Sequence, residues 1–178
     1  MPADFFLPAD VDPRQAETPP TSGEREVDLS YLRHFRTTFE LKLGGLDAEQ
    51  LARRSVPPST LSLLGLLRHL AKVEHTWNVI FLQGHDVPRL YGCDDLRDAD
   101  LDGAVADEAV VEEAWTTWRR EVAAAEEHLA TRSFDDVVDV RGEPTEVREV
   151  VVHLVEEYAR HCGHADLLRE CVDGRTGQ

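Results

Sequence analysis

Near the C-terminus, His153, Glu157 and His161 follow one another at intervals of four. In a helix that spacing stacks them turn above turn on one face, so three side chains able to ligate a metal share one stripe. The stripe runs through an apolar pattern that includes Val150, Val151, Leu154, Tyr158 and Leu168, which directs part of the helix into a core. An imidazole or carboxylate buried there needs a partner, because an unpaired ionised group in apolar surroundings costs several kcal/mol or shifts its pKa. A divalent metal is one such partner. A Glu–His hydrogen bond on a solvated face is another, and this stretch alone leaves both open.

The chain that must position these groups has 178 residues, 42% of them hydrophobic and 30% charged, which suits one domain with a sizeable core. Its formal charge of −16, from 35 acids against 19 bases, excludes nucleic acids and anionic membranes as partners, since both need a basic footprint. No run approaches the roughly 18 apolar residues of a membrane helix, and the start, Met-Pro-Ala-Asp, lacks the pattern of a signal peptide. The expected location is the cytoplasm. Cys93, Cys162 and Cys171 are odd in number and show no CxxC spacing, which argues against a disulfide scaffold or a Cys-rich zinc site. Only Lys42 and Lys72 are lysines, and this usage, with abundant Arg, Ala, Val and Asp, resembles that of GC-rich actinobacteria.

Residues 1–27, rich in Pro, Asp, Glu and Ser/Thr, read as an extended or disordered arm, and residues 28–178 as the folded domain. A first helix is expected from Asp28 or Ser30 to the Gly44-Gly45 stop, with Leu32, Phe35, Phe39 and Leu43 inward. A short helical piece follows Asp47. After Pro57-Pro58, Ser59 or Thr60 is expected to cap a second helix over 61–83, ended by Gly84. Residues 85–106 read as a long surface connection of the kind that covers a site. A third helix is expected over 107–131. Val137, Val138 and Val140 suffice for a short extended segment but not for a sheet, and Thr145 is the expected cap of a fourth helix ending at Gly174. Four amphipathic helices without a strong strand pattern predict an all-α bundle. On pattern alone, His69, at the edge of the second helix's apolar face, reads as a core histidine satisfied by a neighbour.

Three segments change that reading. Arg53-Arg-Ser-Val-Pro-Pro-Ser59, Leu61-Ser-Leu-Leu-Gly-Leu-Leu-Arg-His-Leu-Ala-Lys-Val-Glu74 and Glu156-Glu-Tyr-Ala-Arg-His-Cys-Gly-His-Ala-Asp-Leu-Leu-Arg-Glu170 resemble the DinB/YfiT-like superfamily, and more narrowly its actinobacterial branch. The resemblance covers residues 28–174. It implies a four-helix bundle, here with an extended N-terminal arm, that binds a divalent metal through His69, Glu157 and His161. Many members have histidine where this chain has Glu157, but the similar mycothiol-dependent maleylpyruvate isomerases place a glutamate there and keep a zinc. His153 and His164 become pocket residues, and Tyr158 packs in the core.

Two imidazoles and one carboxylate leave a fourth tetrahedral position open, the pattern of catalytic rather than structural zinc. Nickel, iron or manganese suits the same set. Such a metal lowers the pKa of what it binds, so a thiol is deprotonated and a water falls towards about 7. The leading expectation is a metal-dependent enzyme that transfers a low-molecular-weight thiol, mycothiol by resemblance, to an electrophilic small molecule. The alternatives are a metal-hydroxide hydrolase and a non-catalytic metal-binding stress-response module. Related bundles often dimerise, so a homodimer is a further expectation. Glu74, five residues from His69, is turned away from the metal and expected in an ion pair or hydrogen bond. Cys162 is expected to be a small packed residue, and His34, His75, His85 and His128 are expected at the surface or at helix ends.

Overall fold

The computed structural model describes residues 7, 10–15, 23–92 and 98–176. Helix makes up 66% of the structure and strand 5%, the all-α architecture expected. Most of the arm expected over 1–27 lies outside the described residues; within it, Pro13–Gln15 forms a 3-10 turn against the first helix.

Helix α1 spans Glu24–Leu43, starting before the expected Asp28. Gly23, at φ 90°, leads into it, and Glu24 and Glu26 sit in the first turn, where negative charge offsets the exposed N–H groups and the helix dipole. Helix α2, Ala48–Ala52, opens with a capping box in which Asp47 and Gln50 bond each other's backbone N–H. Helix α3, Leu63–His75, is capped by Ser62, whose Oγ accepts from Gly65 N at 3.1 Å. Neither Ser59 nor Thr60 is the cap: Ser59 Oγ accepts from Leu61 N in a local turn instead. The helix does not run on uniformly to residue 83, because Thr76–Leu82 is π-helical.

The connection beyond it holds a single helical turn, α4, Ala99–Asp102. Its Asp100 and the following Ala104 are buried, so this part of the expected surface connection packs into the molecule, while 93–97 lie outside the described residues. Helix α5 spans Glu108–Thr131 with Asp107 as cap. Strands β1, Val137–Val140, and β2, Glu143–Glu146, pair antiparallel, so the expected extended segment is a two-stranded sheet after all. Arg141 and Gly142 form its turn with φ of 59° and 90°, both in the left-handed region that a tight hairpin requires. Thr145 pairs with Val138 in that sheet and does not cap helix α6, Val147–Asp173. The free N–H groups of Val147 and Arg148 are met instead by the carbonyls of Asp136 and Phe134.

α1 packs chiefly on α6, and α3 on α5 and α6. Each of the four long helices contributes one side chain to a closed polar cluster within the core. Arg36 of α1 donates from Nε and one terminal nitrogen to the two oxygens of Glu74 of α3, both at 2.8 Å. Tyr158 of α6 donates to Glu74, and Trp118 of α5 donates to Tyr158, again at 2.8 Å. Glu74 thus has the partner expected for it, and Tyr158 packs inward with no exposed surface. Among the described residues no helix is long and apolar enough to cross a membrane.

Candidate metal centre

On the same two helices, α3 and α6, His69, Glu157 and His161 come together. One donor atom from each lies within 4.8 Å of the others. His161 Nε2 stands 3.4 Å from Glu157 Oε2, and His69 Nε2 stands 3.9 Å from the same oxygen. These separations exceed the usual range of a hydrogen bond to nitrogen, so the groups face a common gap, with both imidazoles at ion-pair distance from one carboxylate oxygen. Four ligands around a zinc at about 2.0–2.1 Å lie roughly 3.4 Å apart. The shorter separation equals that spacing, the second exceeds it by about 0.5 Å, and the third, between the two imidazoles, is at most 4.8 Å. The donor set and its arrangement therefore fit a divalent metal. The side chains keep 27%, 22% and 12% of their surface exposed, for His69, Glu157 and His161 in turn, so the gap is reached from solvent.

α6 supplies two donors from adjacent turns of one face, and α3 supplies the third across the helix seam. Each donor also has an outward neighbour. His69 Nδ1 lies 2.7 Å from Oδ2 of Asp100, which is 2% exposed and also accepts from Lys72 Nζ at 3.0 Å. His153 Nε2 lies 3.4 Å from Glu157 Oε1, and its ring packs on Trp77 with centroids 4.3 Å apart. His164 Nδ1 lies 3.2 Å from His161 Nδ1, so one ring donates and the other accepts. His153 and His164 thus stand beside the three donors, one step further out.

The electrostatics couple these groups to each other. Burial works against a charge on His69, yet its contacts with Asp100 and Glu157 outweigh it and lift the pKa to about 9. Contact with His161, then with His69, holds the Glu157 carboxyl well below the usual range against the effect of burial. Burial pushes Asp100 up, but its bonds to His69 and Lys72 bring it below an ordinary aspartate. His164 is lowered by burial and by the neighbouring His161 and Arg160.

The remaining candidates lie elsewhere. Cys162 is buried with its thiol towards the Phe35 carbonyl, and burial pushes it up to about 12, consistent with a packed residue. His75, the last residue of α3, lies between Glu121 and the Pro88 carbonyl. His128 bonds Asn78 near the end of α5, while His34 and His85 are exposed. Sequence reasoning missed Asp100. Its signal was faint: a connection too long for a plain linker, in which one aspartate among several is buried.

A mainly helical bundle with an open set of two histidines and a glutamate defines a class of candidate metalloproteins. The family comparison narrows it: the chain belongs to the mycothiol-S-transferase family, whose model matches residues 29–174. That assignment agrees with the DinB/YfiT-like resemblance of the sequence. No curated protein matches the chain.

Proposed function

We propose that the protein is a metal-dependent mycothiol S-transferase in which His69, Glu157 and His161 hold the metal, zinc being the ion best suited to the set. The observation that carries this reading is the convergence of three donors on one solvent-reached gap at separations too long for mutual hydrogen bonds. A divalent metal bound there supplies Lewis acidity, keeping a bound thiol ionised at neutral pH where a free thiol, near 8.5, is mostly protonated. The protein's own part is positional. His69 and His161 each offer an Nε2 lone pair, Glu157 adds the negative charge, and the His153 ring, packed at a tilt against Trp77, walls one side of Glu157. An electrophile held against that wall meets the sulfur with its encounter entropy already lost. The family supports mycothiol as the thiol. A cytoplasmic location belongs to the same reading, since a free thiol co-substrate needs a reducing compartment.

The test is metal analysis followed by thiol transfer to a bimane-type electrophile. Purified protein is expected to carry about one metal per chain, lost in His69→Ala, and to prefer mycothiol to glutathione. Fully loaded protein with no rate above background for several thiols would count against the transferase. Hydrolysis of amides or esters by that preparation would replace it with the hydrolase.

A further inference from the structure

Helix α4 is one turn long, yet it is fastened to α3 from several directions. Arg68 Nε donates to the Asp100 carbonyl at 2.9 Å. Gly103 closes over the Arg68 guanidinium so tightly that a Cβ there would come within 2.7 Å of it, and Gly65 of α3 leaves room for Leu101. The product of this fastening is a single buried carboxylate. Asp100 turns one oxygen to His69 Nδ1 and the other to Lys72. A buried carboxylate is unfavourable unless its partners are well placed, and here they are the Lys72 ammonium and the His69 ring.

We infer that Asp100 is a positioning residue for the candidate metal centre, accepting the Nδ1–H of His69 in a hydrogen bond so that the Nε2 lone pair faces Glu157 and His161. The inference rests on the metal reading proposed above and adds to it a residue from a third element. Imidazole ligands need their second nitrogen bonded outward, which selects the tautomer, fixes the ring and raises the basicity of the ligating nitrogen. The outward neighbours of the other two donors are weaker candidates for this work. His153 stands 3.4 Å from Glu157 and is about a third exposed, so water can take its place, and His164 brings no full charge to His161 when neutral. Asp100 is both charged and shielded from water, and Lys72 holds its second oxygen against rotation.

Cobalt(II) binding to the full chain tests this without reference to turnover, through the visible spectrum of the bound ion and competition with a chelator. Asp100→Ala is expected to lower affinity by about 10- to 100-fold and to change the cobalt spectrum. Asp100→Asn, which keeps the shape and one acceptor but loses the charge, should fall between that and wild type. His164→Ala should change affinity less than either. If Asp100→Ala does not fold, the comparison of Asp100→Asn with wild type decides the matter alone. Folded Asp100 variants that bind cobalt within about twofold of wild type, with an unchanged spectrum, would overturn the role given to Asp100, set against the loss of at least tenfold expected. A wild-type chain that takes up no cobalt would overturn the metal reading itself, and this inference with it.

Discussion

Two polar clusters share α3 and α6, and Glu157 and Tyr158, adjacent in sequence, belong one to each. In the inner cluster the links among Arg36, Glu74, Trp118 and Tyr158 are all 2.8 Å long and the four are at most 4% exposed, with Arg36 also reaching the half-exposed Glu126 at 3.4 Å. In the outer one, Glu157 reaches no histidine closer than 3.4 Å, and the gap opens to solvent. The same pair of helices thus carries one polar set bonded within the core and another whose members stand further apart and reach solvent. A satisfied network fixes how four helices meet, whereas convergent donors held apart are suited to something that comes from outside. The inner set belongs to the fold, and the outer one is the proposed metal centre.

The difference can be broken from either side. The largest effect is expected on the inner side, where Glu74→Leu leaves Arg36 charged in the core without its buried carboxylate. Stability to chemical denaturation should fall by about 3–5 kcal/mol, and a loss below about 1 kcal/mol would mean the cluster is not the closed unit described. On the outer side, Glu157→Gln keeps the shape and removes the charge. Metal affinity is expected to drop by about 100-fold, equivalent to roughly 2.7 kcal/mol, while metal-free stability stays within about 1 kcal/mol of wild type. Equal metal affinity in this variant would move the ligand role to His153 or His164.

Smaller changes sharpen the contrast. Tyr158→Phe removes the hydroxyl that accepts from Trp118 and donates to Glu74, and should cost about 1–3 kcal/mol without altering metal affinity; calorimetry and a metal titration of the same sample check both halves. Ser62→Ala removes the α3 cap, for about 1 kcal/mol. Because the cap lies two turns before His69, the metal titration should again be unchanged, and a shift there would show that the start of α3 also sets the site.

How much of this the sequence disclosed depends on the length over which each signal extends. The long helices repeat an apolar stripe for many turns, and Asp107, Asp47 and Gly174 mark ends without rivals, so those elements were readable. The stripe of His153, Glu157 and His161 was readable for the same reason. His69 was not found by spacing, because nothing in a helix's own period says which neighbour it will face; the family resemblance supplied it. Asp100 stayed hidden because a one-turn helix among acids has the composition of a solvated loop, and its burial is decided by Arg68 and Gly103 rather than by its own surroundings in sequence. The caps of α3 and α6 were misplaced where several hydroxyls compete or where a neighbouring turn supplies backbone carbonyls instead. The switch to π-helix over 76–82 has no marker in residue type at all.

The donors of the site also enter the world at different times. His69 is made early, Asp100 follows from the connection, and Glu157 and His161 come 88 and 92 positions after His69. Contacts between residues so far apart form late, once the intervening chain has ordered. During synthesis, a chain halted anywhere before Glu157 holds at most one of the three donors, His69. On the proposed reading, metal capture would follow completion of the bundle, and from then on any ion bound only by the folded form would add its binding energy to the stability of the finished chain.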